Sequence, residues 1–207
     1  TDNSYLNHSV NPNVTILDDH LATSSVTLNG HPYQNGTQIS EEGGYSLQGY
    51  GVDLAGNETT EQVWFFLDMT PPVITVSGVE DGVTYNTPVQ AAIEVIEDNV
   101  GEISITLNET PYESGTIISV DDDYELVVNV TDRAGNEAQV TTTFTVDTTA
   151  PDIPVIVEPQ DGAVIDGQET LVTGSTESNA LVRIVVGDYQ NTTVATAEGL
   201  FSFANVP

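Results

Sequence analysis

Acidic and amide side chains recur in this chain at spacings suited to holding a hard metal ion. Asp53 and Asn57 flank the string Asp-Leu-Ala-Gly-Asn, and Asp132 and Asn136 flank Asp-Arg-Ala-Gly-Asn. Asp68 and Asp147 follow, each just before a short proline segment, and Asp81 and Asp161 stand further on before a glycine. These groups offer only oxygen ligands, and calcium takes about six to eight oxygens from carboxylates and carbonyls. Placing the end of the penultimate strand and the end of the last strand at one pole of a domain gives two expected calcium clusters. One comprises Asp53, Asn57, Asp68 and Asp81; the next comprises Asp132, Asn136, Asp147 and Asp161. The competing reading needs no metal: Asp caps the turn and Gly-Asn supplies a left-handed residue.

The overall charge adds weight to a bound cation. There are 32 acidic residues, and the only Lys or Arg are Arg133 and Arg183, so the net charge is −30. Such a chain repels itself when compact, and divalent ions or high salt would offset that. It is a poor match for nucleic acid, whose phosphates need cations, and for anionic membranes. No apolar run reaches the ~18 residues of a bilayer span, so direct membrane insertion is not expected. Cysteine is absent, which excludes a disulfide framework. Lysine is absent too, which excludes Lys–Asn isopeptide cross-links.

The elements that must carry these residues are repeated. The distance from Asp53 to Asp132 is 132 − 53 = 79, and from Asp68 to Asp147 it is 147 − 68 = 79. A constant period marks one folding unit copied in tandem. Val26-Thr-Leu-Asn29 then aligns with Ile105-Thr-Leu-Asn108, Pro32-Tyr33 with Pro111-Tyr112, and Tyr45 and Leu47 with Tyr124 and Leu126. Helical periodicity is absent. Short alternating runs such as Val89–Val95, Ile103–Leu107 and Tyr124–Val130 lie between Gly, Asn, Asp and Pro, which is the pattern of an all-β chain. The expected architecture is a row of antiparallel Ig-like sandwiches of about seven strands each. Short, proline-stiffened linkers join them. The expected boundaries are 1–72, 73–151 and 152–207.

Asn29-Gly30 predicts a tight hairpin turn, and Tyr45 and Tyr124 predict tyrosine corners. The acidic runs Glu41-Glu42 and Asp121–Asp123 are expected to be solvated surface. By alignment, the first repeat lacks the strand at Val73–Ser77. The third lacks counterparts of the strands at Tyr124–Val130 and Thr141–Val146. No signal-peptide pattern stands at Thr1, and a segment of a longer protein is the expected reading.

The strings Asp132-Arg-Ala-Gly-Asn-Glu137 and Phe144-Thr-Val-Asp-Thr-Thr-Ala-Pro151 resemble the bacterial Ig-like tandem repeats of large cell-surface adhesins. Val155–Gly162 and Thr173-Gly-Ser-Thr-Glu177 resemble the same repeats. The likeness covers essentially the whole chain. It implies a non-catalytic stalk on the cell surface, with calcium rigidifying the joints. Adjacent Ig-like domains or identical subunits are then the implied neighbours, and a host or neighbour-cell surface ligand the implied target.

Two further sets of residues bear on partners. Alternation along Val63-Trp-Phe-Phe-Leu67 turns Phe65 and Leu67 inward and Trp64 and Phe66 outward. With Tyr50 on the neighbouring strand, these predict an exposed aromatic contact patch. Asn-x-Ser/Thr acceptors stand at Asn7, Asn13, Asn35, Asn57, Asn108, Asn129 and Asn191, and glycans attach there where the cell has the machinery. Enzymatic chemistry finds no support. His8, His20 and His31 align with Thr87, Asn99 and Thr110 in the second copy, and no nucleophile or phosphate-loop motif is present. The expected function is an extracellular stalk or adhesin segment with calcium-stiffened joints. The alternatives are a head-to-tail filament subunit completed by strand exchange, and an accessory carbohydrate-binding module using the aromatic patch.

Overall fold

The computed structural model describes residues 4–207 and contains only strands and turns. Among those residues no helix is long and apolar enough to cross a membrane. The chain divides into two compact units, Thr1–Thr148 and Thr149–Pro207.

The first unit holds two copies of one sandwich. In the first copy the strands are β1 (Ser4–Leu6), β2 (Leu21–Leu28), β3 (His31–Pro32), β4 (Gly43–Asp53) and β5 (Glu58–Leu67). They form one sheet in the order β1-β5-β4-β2-β3. The second copy adds β6 (Val73–Ser77), β7 (Val83–Tyr85), β8 (Val89–Gln90), β9 (Ala92–Ile96), β10 (Val100–Leu107), β11 (Thr110–Pro111), β12 (Ile117–Ile118), β13 (Asp122–Asp132) and β14 (Glu137–Val146). Its main sheet runs β11-β10-β13-β14-β7, with β6 paired to β9 and β8 to β12. The parallel pairs β1–β5 and β7–β14 match residue for residue at the 79 offset: Ser4 faces Phe65 and Val83 faces Phe144.

Alternation sets the core. Leu126, Val128 and Val130 on β13 are at most 1% exposed, and they pack with Val79, Val89, Ala91, Ile118, Phe144 and Val146. The first copy keeps Leu47 from this row but carries Gly49 and Gly51 in place of Val128 and Val130. Val14 and Ile16 close over those glycines; a Cβ at Gly51 would come 2.8 Å from Ile16 Cγ2. The first copy thus has a thinner core. The segment 13–17, equivalent to β9, is not in a strand.

Turn chemistry follows the sequence. Asn29 and Gly30 take left-handed φ values of 49° and 77° to close the β2–β3 hairpin. The Tyr45 hydroxyl donates to the Glu41 carbonyl, and that of Tyr124 to the Val120 carbonyl, so both tyrosine corners are present. Tyr33 and Tyr112 form a second repeated anchor, each bonding the carbonyls of Pro12 and Thr37, or Ala91 and Thr116.

The second unit contains β15 (Val155–Glu158), β16 (Thr170–Ser175), β17 (Leu181–Val186), β18 (Tyr189–Val194) and β19 (Leu200–Val206). They form the sheet β15-β16-β19 and the hairpin β17–β18. Val172, Val182, Ala195, Phe201, Phe203 and Val206 make its core.

Candidate metal centre at the joint of the first two repeats

The expected pairing of carboxylates is corrected by hairpin geometry. β4 and β5 are antiparallel, with Gly43 opposite Leu67 and Val52 opposite Glu58. Asp53 therefore lies at the turn end and Asp68 beyond the other end, about 30 Å away at ~3.4 Å per residue along the 10-residue β5. β13 and β14 separate Asp132 from Asp147 in the same way. Neither expected cluster can form, because each needs residues from both ends of its hairpin.

Asp81 is also placed elsewhere. Its carboxylate accepts from the Thr143 N–H and hydroxyl, both at 2.8 Å. These bonds hold it below the usual carboxylate pKa. Asp53 caps its own loop, accepting from the Asn57 side chain at 2.7 Å and from the Asn57 and Ala55 N–H groups at 2.8 Å. Its pKa is lowered, first by the Asn57 side chain and then by the Asn57 backbone. Asp161 follows β15 in the second unit.

The structure instead joins the end of one repeat to the turn of the next. One carboxylate oxygen from each of Asp68, Glu97 and Asp132 lies within 4.8 Å of the others. Asp68 follows β5, Glu97 follows β9, and Asp132 ends β13. Asp132 is only 4% exposed. Its two oxygens accept from the Asn136 N–H at 2.8 Å and the Asn136 amide at 2.7 Å. The same amide donates to the Asp68 carbonyl at 2.7 Å. Asn99 donates its amide to the Asp68 carboxylate at 3.3 Å, and its N–H to Glu97 at 2.7 Å. A cleft of about 380 Å³ opens beside this cluster, with Glu42, Asp68, Glu97 and Asp98 on its walls.

Of the expected ligands, then, Asp68, Asp132 and Asn136 come together, while Glu97 and Asn99 were missed. The signal for them is the pair Asp18-Asp19 repeated as Glu97-Asp98 at the 79 offset. The loop itself repeats too: His20 N–H donates to Asp18 as Asn99 N–H does to Glu97. The acidic runs are more than solvated surface. Glu42 accepts from Met69 N–H and the Thr70 hydroxyl, and Asp121 accepts from Thr148 N–H and its hydroxyl. Both acids hold the start of a proline segment.

The aromatic patch is also redrawn. Phe66 is stacked on Tyr5, with ring centroids 4.9 Å apart, and the Arg133 guanidinium lies 5.7 Å over the Tyr5 ring. Phe66 is therefore partly covered and belongs to the joint. Trp64 sits opposite Ser46 and Tyr50 opposite Thr60, with Gln48 and Gln62 paired between them. Trp64 and Phe66 are neighbours on this face, and the Gln48–Gln62 pair separates Tyr50 from them.

The sequon asparagines have varied settings. Asn7 donates to the Gly135 carbonyl. Asn35 bonds both backbone groups of Val14. Asn57 holds Asp53, and Asn108 bonds Asp123 and Glu125. Asn129 accepts from Gln139, and Asn191 bonds Tyr189 and Thr192. Asn13 is exposed on the 13–17 segment.

Comparison with known proteins places the fold. No family profile and no curated protein matches the sequence. Among solved structures, the three-Ig segment I67–I69 of titin matches with a TM-score of 0.53 at 12% identity, covering 100% of this chain and 86% of that one. At that identity the likeness shows the fold, tandem Ig-like β-sandwiches. A tetra-tandem repeat from the extending region of a large adhesion protein is 19% identical with a TM-score of 0.37, covering 92% of this chain and 59% of that one. Fibronectin(III)-like modules of Clostridium thermocellum CbhA are 11% identical with a TM-score of 0.36, covering 70% and 89%.

Proposed function

We propose that this chain is a non-catalytic segment of an extracellular surface rod, built of tandem Ig-like repeats and stiffened by calcium where the first two repeats meet. The observation that carries the reading is the convergence of Asp68, Glu97 and Asp132 from two repeats. Three carboxylates so close repel one another, and a cation among them would relieve that repulsion. The donors are all hard oxygens, which suits calcium rather than zinc or copper. Asn99 and Asn136 are placed to add amide oxygens after rotating about their side-chain torsions. The only arginine nearby, Arg133, lies over Tyr5. Bound calcium would tie the end of β5 to the β13–β14 turn, fixing the angle between repeats. Adjacent repeats are then the immediate partners, and a cell-surface ligand the distal one. The carbohydrate-module alternative is less favoured, because Tyr50 lies two rungs beyond Trp64 and Tyr5 partly covers Phe66.

Thermal melts in EDTA and in millimolar calcium at fixed ionic strength test this. A ligand that binds only the folded state at 100 times its Kd stabilises by about 2.7 kcal/mol. The expected result is a higher Tm in calcium for the wild type and little rise for Glu97→Gln, with similar melts in EDTA. An equal calcium response in both proteins would remove Glu97 from the site and sink the reading.

A further inference from the structure

The outward faces of the two main sheets differ in charge. In the second copy the outward side chains of β10, β13 and β14 include Glu102, Asp123, Glu125 and Glu137. At the 79 offset the first copy has Thr23, Gly44 and Ser46 in place of the first three, and Glu58 in place of the last. Glu58 is thus the single acid among the outward residues of β2, β4 and β5. Glu61 lies opposite Gly49 and so turns to the other side, and Asp18-Asp19, Glu41-Glu42 and Asp68 stand outside the strands. The middle of the cleared face has Trp64 opposite Ser46, the Gln48–Gln62 pair, and Tyr50 opposite Thr60. Gln62 donates its amide to the Ser46 hydroxyl, and Trp64 is 48% exposed.

Neighbouring repeats leave this face bare. Glu102, Glu125, Thr141 and Thr143 are exposed in the second copy although the first precedes it, and Ser25, Thr60, Gln62 and Trp64 are exposed in the first although the second follows. The charge pattern selects the partner. A cationic partner would gain nothing from the loss of three carboxylates. An acidic partner gains much, because like charges set against each other cost several kcal/mol. A second copy of this chain, at −30, is such a partner, and it brings the same cleared face. A sugar chain is a poorer fit, since the Gln pair interrupts the aromatic surface.

We propose that the outward face of β2, β4 and β5 docks against the same face of a second copy in a two-fold contact. Trp64 is the buried anchor, and the Gln48 and Gln62 amides supply hydrogen bonds across the contact. Ten β4–β5 rungs at about 3.4 Å, across three strands about 4.8 Å apart, give a face of roughly 500 Å². Two such faces bury about 1,000 Å², the lower limit of a specific interface. The contact is therefore reversible, suited to rods that associate side by side. It does not rest on calcium at the joint.

The test is sedimentation equilibrium of the full chain in EDTA, from micromolar to millimolar protein, with Trp64 emission followed over the same range. Trp64 is the single tryptophan. The expected result is a reversible dimer with a Kd on the order of 10–100 µM and a blue shift of emission with the same midpoint. Ser46→Glu and Thr23→Glu each restore the acid that the second copy carries in its folded sheet. Each should weaken the dimer about ten-fold or more, or roughly 1.4 kcal/mol. Thr141→Glu, on the matching face of the second copy, should leave it unchanged. A chain that stays monomeric to millimolar concentration overturns the proposal. So does a dimer that Ser46→Glu and Thr23→Glu leave intact, or that Thr141→Glu weakens equally. A monomer whose Trp64 emission shifts saturably with a neutral gluco-oligosaccharide would assign the face to glycans and overturn it as well.

Discussion

Asp81 and Asp53 do at single positions what metal ligands were expected to do there. Each carboxylate collects hydrogen bonds from N–H and side-chain donors, Asp81 from Thr143 and Asp53 from Asn57 and Ala55. Both pKa values are lowered in the folded state. The unfolded chain holds its carboxyl protons up to about pH 4, so it takes up protons first on acidification. The stabilisation is present above that pH and is lost as the pH falls through the depressed folded values. Protonation of the other acids relieves the −30 charge over the same range, which opposes the loss. Comparison with a variant isolates the local effect. Between pH 6 and pH 2, the Tm of Asp81→Ala should fall less than that of the wild type, and the gap between them should narrow toward the acid end. Parallel curves across that range would show that the Thr143 bonds carry no linkage.

At the scale of the strand, the glycines at 49 and 51 show how one copy departs from the other. Val128 and Val130 fill the second core; Gly49 and Gly51 let Val14 and Ile16 sink onto the sheet in the first. Restoring the repeat's own residue should therefore be harmful. Gly51→Val forces Ile16 outward and is expected to cost about 1–3 kcal/mol, read as a lower denaturant midpoint. Deleting bulk from the other core gives the complementary result. Leu126→Ala removes a 0% exposed side chain and should cost about 2–5 kcal/mol. Strands, hairpin turns and tyrosine corners were legible in the sequence because each is local and is stated twice at the 79 offset. The joint was not, because an antiparallel hairpin sends Asp53 and Asp68 to opposite ends, so a ligand set close in sequence is far apart in space. The cover on Phe66 was hidden for a related reason. Tyr5 reaches it through the parallel β1–β5 pairing, and nothing in the local alternation announces that strand.

For the whole chain, two electrostatic effects act over different distances. The surplus of carboxylates repels at long range, and dissolved salt weakens that repulsion wherever it occurs. The Debye length falls from about 10 Å at 0.1 M to about 3 Å at 1 M. Raising NaCl over that range should lift the unfolding temperature of both compact units. Calcium bound at the proposed Asp68–Glu97–Asp132 cluster would act instead on one place in the Thr1–Thr148 unit. Millimolar CaCl₂, with ionic strength held constant, should shift only the calorimetric transition of that unit and leave that of Thr149–Pro207 in place. The Glu97→Gln variant should keep the NaCl response and lose the calcium response. If calcium moved both transitions together, it would be acting as one more screening ion. The carboxylates at the joint would then be an ordinary part of an acidic surface, and the angle between repeats would be held by the Arg133–Tyr5–Phe66 stack and by the hydrogen bonds of Asn136 and Asn99 to Asp68 and of Asn7 to Gly135.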